Sequence, residues 1–170
     1  MSPGLPEDPA PRDRDSAGRA RNARPRDALG RPLPRDARGD ERIPDDLVLP
    51  PAEALSLAQD LLDAGRPFHA HEVLEASWKA APPAERDLWQ GLAQIAVGLT
   101  HARRGNARGA AALLRRGGQR VSGYAGAAPH GIDAAAISLA VSDLATRIEA
   151  EGLDAAGAEL GTVRLAPSGP

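Results

Sequence analysis

Residues 88–102 read LWQGLAQIAVGLTHA, 15 consecutive positions without a charged side chain. Leu88, Leu92, Ile95 and Leu99 recur at i, i+4, i+7 and i+11, one stripe of an α-helix, with Trp89 and Ala96 beside it. Glu85 and Asp87 precede the stretch and Arg103 and Arg104 follow it, each sign matched to the nearer end of the helix dipole. The spacing predicts a helix over 84–104, and a helix so poor in charge must be buried almost all round. It is too short for a membrane span, which needs roughly 20 apolar residues. No membrane is therefore expected as a partner, and this helix becomes the centre of a bundle.

The neighbours follow from punctuation. Gly105-Asn106 ends the central helix and supplies an N-cap for the next, over 107–116 (ARGAAALLRR), after which a Gly-rich loop is expected over 117–131. Asp133 then caps a helix over 133–150, with Ile137, Val141, Leu144 and Ile148 on one stripe. Upstream, Pro67 opens a helix over 67–80 that stops at Pro82-Pro83, and Gly65 ends another over 52–64 carrying Leu55, Ala58, Leu61 and Leu62. The expected fold is all-α, a compact antiparallel bundle of about five helices. A weak echo at an offset of 40 supports the hairpins: Ala-Gly-Arg-Pro at 64–67 answers Arg-Gly-Asn-Ala at 104–107, and Ala70, Val73 and Leu74 answer Ala110, Leu113 and Leu114. Such helix–Gly–helix units resemble tetratricopeptide hairpins, but two copies are too few for a solenoid, so a closed bundle is preferred.

Composition sets the limits around this core. A chain of 170 residues with 18 Gly and 16 Pro holds one small domain plus tails. Residues 1–46 carry 8 of the 16 prolines and equal numbers of Arg and Asp/Glu, so they read as a disordered polyampholyte tail. The helical domain is placed at 47–150, and residues 151–170 read as a frayed C-terminal tail. Net charge is −2 and neither part is basic, so the Arg cluster at 19–26 does not make a nucleic-acid surface, and the tail has no aromatic to stack on a base. The absence of cysteine excludes disulfides, thiolate metal sites and cysteine nucleophiles. The cytoplasm is the expected location, and no phosphate loop, Ser–His–Asp set or dinucleotide fingerprint marks an enzyme.

The unusual polar groups lie in FHAHEVLEASW, residues 68–78. On a helical wheel His71 and Glu75 share a stripe with Phe68 and Trp78, while His69 is predicted to point outward and Glu72 lies on the flank. A histidine and a carboxylate among apolar residues must pair or bind something. On the central helix Gln90, Gln94 and His101 align on a second stripe bordered by Gly91 and Gly98, small residues that admit a close neighbour. The expectation is that His71 and Glu75 lie inward against Gln90, Gln94 and His101. His130, before Gly131, is expected in solvent, and Arg115, Arg116 and Arg120 as a solvated helix end.

HEVLEASW at 71–78 resembles the H-x-x-x-E-x-x-W pattern of the family called domain of unknown function 309, and RDLWQGLAQIAVGLTHARRGNARGAAALLRRG at 86–117 resembles that family's following segment. The resemblance covers 52–117 well and 118–150 loosely, and the Arg/Ala-rich usage is similar to actinobacterial members. It implies an all-helical domain and a metal role for His71 and Glu75, with Trp78 as a packing residue. It implies no reaction.

Two readings follow. In the first, His71 and Glu75 reach one divalent ion such as zinc, or a small ligand, and His101 completes a set that leaves a position open for water. Glu72 follows His71 as the base does in H-E-x-x-H proteases, but Glu75 stands where that motif needs histidine. In the second, the His/Glu/Gln network only fixes helix register, and the hairpins present a groove to a protein partner.

Overall fold

The computed structural model describes residues 24–44 and 46–167. Among them the chain forms α1 (Pro51–Asp63), α2 (Pro67–Ala80), α3 (Arg86–Arg103), α4 (Ala107–Ser122), α5 (Ala134–Glu151) and the single turn α6 (Leu153–Ala156), with 3-10 turns at 83–85, 129–131 and 159–161. The fold is all-α, as expected. Its heaviest packing joins consecutive helices, α3 with α4, α4 with α5, and α2 with α3. No helix among the described residues is long and apolar enough to cross a membrane.

α3 is the central element. Leu88, Leu92, Ile95, Ala96 and Leu99 are buried, and Trp89 is 2% exposed. The two predicted Gly turns share one backbone. At the end of α1, Gly65 has φ of 73°, and the Arg66 N–H donates to the Leu61 carbonyl at 2.8 Å. At the end of α3, Gly105 has φ of 82°, and the Asn106 N–H donates to the His101 carbonyl at 2.9 Å. Both are Schellman caps, in which a left-handed residue lets an N–H reach back to a helical carbonyl. Asn106 then caps α4 by accepting from the Gly109 N–H, and Asp133 caps α5 from the Ala136 N–H, each at 2.9 Å.

Three expectations need correction. α4 does not stop at 116 but runs through Gly117 and Gly118 to Ser122, so the loop expected over 117–131 begins later. These glycines lie at helix crossings. A Cβ on Gly117 would stand 2.7 Å from the Gly91 carbonyl of α3, and one on Gly118 would stand 2.7 Å from Val141 of α5. The gain in contact between backbones outweighs the poor helix propensity.

The C-terminal segment is not frayed before residue 167. Ala156, Val163 and Leu165 are buried, because Gln59 of α1 binds the extended chain on both sides: its Oε1 accepts from the Leu165 N–H at 2.7 Å and its Nε2 donates to the Val163 carbonyl at 3.3 Å. Residues 168–170 lie outside the described residues.

Contacts also cross the boundary expected at residue 47. The disorder expected for 1–23 and for residue 45 lies outside the described residues. Residues 24–44 contain no helix, but they form a strap against α2 and α3. Asp27 organises it: its carboxylate accepts from the Leu29 N–H at 3.0 Å and the Arg31 N–H at 2.8 Å, and its carbonyl accepts from the Gly30 N–H at 2.8 Å.

Candidate functional site

His71 and Glu75 stand one turn apart on α2, with His71 Nε2 3.3 Å from a Glu75 carboxylate oxygen. Lys79 continues the ladder, 2.8 Å from the other oxygen. Burial is the main influence on His71 and holds its pKa below the ordinary histidine range, against the opposing pull of Glu75. The ring is therefore neutral at neutral pH. The other ring nitrogen, Nδ1, is buried without a hydrogen-bond partner. Phe68 lies beside the ring, centroid to centroid 6.0 Å, and Trp78 is half-buried against the core, so both act as packing residues.

The second polar stripe goes elsewhere. Gly91 and Gly98 border it as predicted, but the helix they admit is α4: a Cβ on Gly91 would meet Val121 and Gly117, and one on Gly98 would meet Leu114. Gln90 and Gln94 are half-buried on α3 and make no hydrogen bond to His71 or Glu75; the Gln94 Oε1 is buried without a partner. His101 lies at the α3–α4 turn, its Nδ1 2.8 Å from the Asn106 amide nitrogen. Burial first, and Arg104 second, hold its pKa low. The expected convergence of His71, Glu75 and His101 is not observed, and among the described residues no group of three or more His, Asp or Glu side chains gathers as metal ligands would. The wheel identified two polar faces correctly as faces, but could not say that each meets a different neighbour.

His69 is a further correction. Expected outward, it is 2% exposed, the more buried histidine of α2. Its Nε2 lies 2.9 Å from the Glu41 carbonyl and 3.4 Å from the Asp40 carboxylate, and Arg66 closes the group with a 2.8 Å ion pair to Asp40. The Arg66 hydrogen bond is the first cause of the lowered Asp40 pKa. Glu72 likewise faces the strap, 3.8 Å from Arg42. The strap covers this side of α2, which a wheel drawn for one helix cannot anticipate.

A further histidine–carboxylate pair carries no signal in the sequence. His130 Nε2 lies 2.8 Å from Glu85, whose same oxygen accepts from the Trp89 indole at 3.2 Å. The His130 bond is the largest cause of the lowered Glu85 pKa. His130 and Ala128 both adopt positive φ, 55° and 40°, and Tyr124 donates to the Ala84 carbonyl at 2.7 Å, so the α4–α5 connection is pinned to the start of α3. His130 is exposed, as expected, but it is partnered there. The partners are 45 residues apart, and no local pattern links them.

The comparisons with known proteins converge on the hairpin core just described. Residues 55–113 match the family described as domain of unknown function (DUF309). The DUF309 segment spans most of α1, all of α2 and α3, and the first half of α4, so the resemblance read from the sequence holds there. A protein of Bacillus subtilis (strain 168) called uncharacterized protein YpuF is 48% identical over 48 residues, 28% of this chain and 28% of its own length. The chain thus matches little over a quarter of that curated relative. No solved structure matches.

Proposed function

We propose that this protein is a non-catalytic helical interaction module, acting in the cytoplasm on a protein partner, in which His71, Glu75 and Lys79 serve the architecture of α2. One observation carries the reading: side chains on α2 and at the C-terminal end of α3 hold a non-helical segment by its main chain, Arg104 through the Leu29 carbonyl at 2.8 Å and His69 through the Glu41 carbonyl at 2.9 Å. Main-chain hydrogen bonds give affinity for a bound segment without reading its side chains. The even charge of the chain favours a protein over a nucleic acid as partner.

Metal binding is the second reading, favoured by the His71–Glu75 spacing. Two ligand atoms about 2.05 Å from one tetrahedral zinc stand roughly 3.3 Å apart, and His71 Nε2 and Glu75 are separated by 3.3 Å. Two ligands do not make a protein zinc centre, which takes three or four, and His101 and the Gln90/Gln94 stripe do not supply the rest. Zinc titration of the full chain, His71→Ala and Glu75→Gln separates the readings. The expected result is no stoichiometric zinc at micromolar protein, with only a stability change in the variants. Tight 1:1 binding abolished by both substitutions would replace the interaction reading with a metal site.

A further inference from the structure

We propose that the α2–α3 face lined by Arg66, Phe68, His69 and Arg104 is a recognition groove for a segment built on an Asp-x-x-Gly turn with an acidic residue beyond it, and that residues 26–42 occupy it in cis as a built-in competitor. The proposal rests on the interaction-module reading and adds the ligand chemistry and its regulation.

The groove reads three features of the strap. Arg104 donates Nε and Nη2 to one carbonyl, that of Leu29, inside the Asp27–Gly30 turn. Phe68 tests the next residue: Gly30 is buried against the ring at φ of 72°, and a Cβ there would collide with it. Arg66 takes the acid, Asp40, at 2.8 Å, while His69 holds the neighbouring Glu41 carbonyl. Two of the four contacts are to main chain and one is to the absence of a side chain. Any segment that can form the same turn and present an acid beyond it satisfies them.

The strap is attached rather than built in. None of its residues belongs to the buried hydrophobic core, and within 24–44 only Ile43 packs against that core. Its other ties are the packing of Gly30 on Phe68 and hydrogen bonds and ion pairs to Arg66, His69, Glu72 and Arg104, each individually weak. What keeps it bound is covalent connection: a few residues link Ile43 to Pro51 of α1, so its effective concentration at the groove is high. The division of the sequence agrees. All four groove residues fall inside the DUF309 match at 55–113, and the whole strap falls outside it.

Cutting the connection tests this directly. A protease site inserted between residues 44 and 50 of the full chain is cleaved after purification, and release of the N-terminal fragment on dilution is followed by size-exclusion chromatography and circular dichroism. A labelled synthetic peptide of residues 24–44 is the probe for rebinding. The expected result is a fragment that leaves on dilution while the helical signal persists, and a peptide that rebinds the cut protein but not the uncut one. Phe68→Ala or Arg104→Ala in the body, or Gly30→Ala in the peptide, weakens rebinding at least tenfold. Loss of helix when the fragment leaves would make the strap structural and overturn the proposal. So would a fragment that never leaves, a peptide that does not rebind, or rebinding indifferent to all three substitutions. A concentration-dependent dimer of the uncut chain with exchanged straps would make the occupant a second copy and overturn the separate partner. Zinc binding plays no part in these readouts, so the two tests fail independently.

Discussion

The hairpins α1–α2 and α3–α4 reverse the chain with the same Schellman turn, yet they are held by different means. The second carries its own seam: Gly91 and Gly98 on α3 meet Gly117 and Leu114 on α4, and backbones approach where no Cβ intervenes. The first is braced by both ends of the described chain. The strap closes on Arg66 and His69, and Val163 and Leu165 are stapled to Gln59 on α1. A repeated local sequence therefore transmits a turn, while the packing that stabilises each copy must be supplied separately.

The largest break in this contrast is expected at the C-terminal brace. Leu165 is fully buried, so Leu165→Ala should cost about 2–5 kcal/mol through lost burial and the cavity left behind. Denaturant unfolding measures it. A loss below about 1 kcal/mol would mean that α1–α2 does not need the chain end. Next is the glycine seam. Helix propensity alone makes Gly117→Ala stabilising by roughly 0.5–1 kcal/mol; the close approach to α3 reverses the sign, and a destabilisation of about 1–3 kcal/mol is expected. Gly105→Ala is the control, since no atom lies within 4 Å of its Cβ position and only the positive φ of 82° resists the substitution, at about 1–2 kcal/mol. A stabilised Gly117→Ala protein would abolish the distinction between the seams.

The smallest effect is in pH. Burial lowers the pKa of His71, in the first hairpin, and of His101, in the second. Between each folded value and the ordinary value of about 6.5, the unfolded chain binds more protons than the folded one, so stability rises with pH across that window and falls on acidification through it. His71→Gln should flatten only the share due to the first hairpin, and His101→Gln the rest. Thermal melts between pH 7 and pH 5 would show it. A slope unchanged by both substitutions would remove the histidines as its source.

Much of the fold was legible because its signals are local. Charge-free spacing at 88–102 marked α3, Pro67 and Pro82 marked the ends of α2, and Asn106 and Asp133 marked two caps. Gly117 and Gly118 misled for a related reason: as residues they argue for a loop, and only the surface of α3 and α5 turns them into packing residues. For the site, the His71–Glu75 pair was legible, being one turn apart on one helix. The Gln90/Gln94/His101 stripe was legible as a stripe but not in its neighbour. Gln59 did carry a signal, a polar residue on the buried face of α1 that had to find partners, though nothing named the chain end as that partner. His130 and Glu85, 45 residues apart, carried none.

What the sequence determined alone is therefore the set of helices around α3, the two Gly turns, the DUF309 resemblance and the shared face of His71 and Glu75, because each depends on local sequence. Only the tertiary structure decided which face meets which. It turned His69 inward under the strap, sent His101 to Asn106 rather than to His71, and anchored the chain end on Gln59. Those outcomes depend on contacts between residues far apart in sequence, and a helix's own periodicity says which residues share a side but not what lies against it.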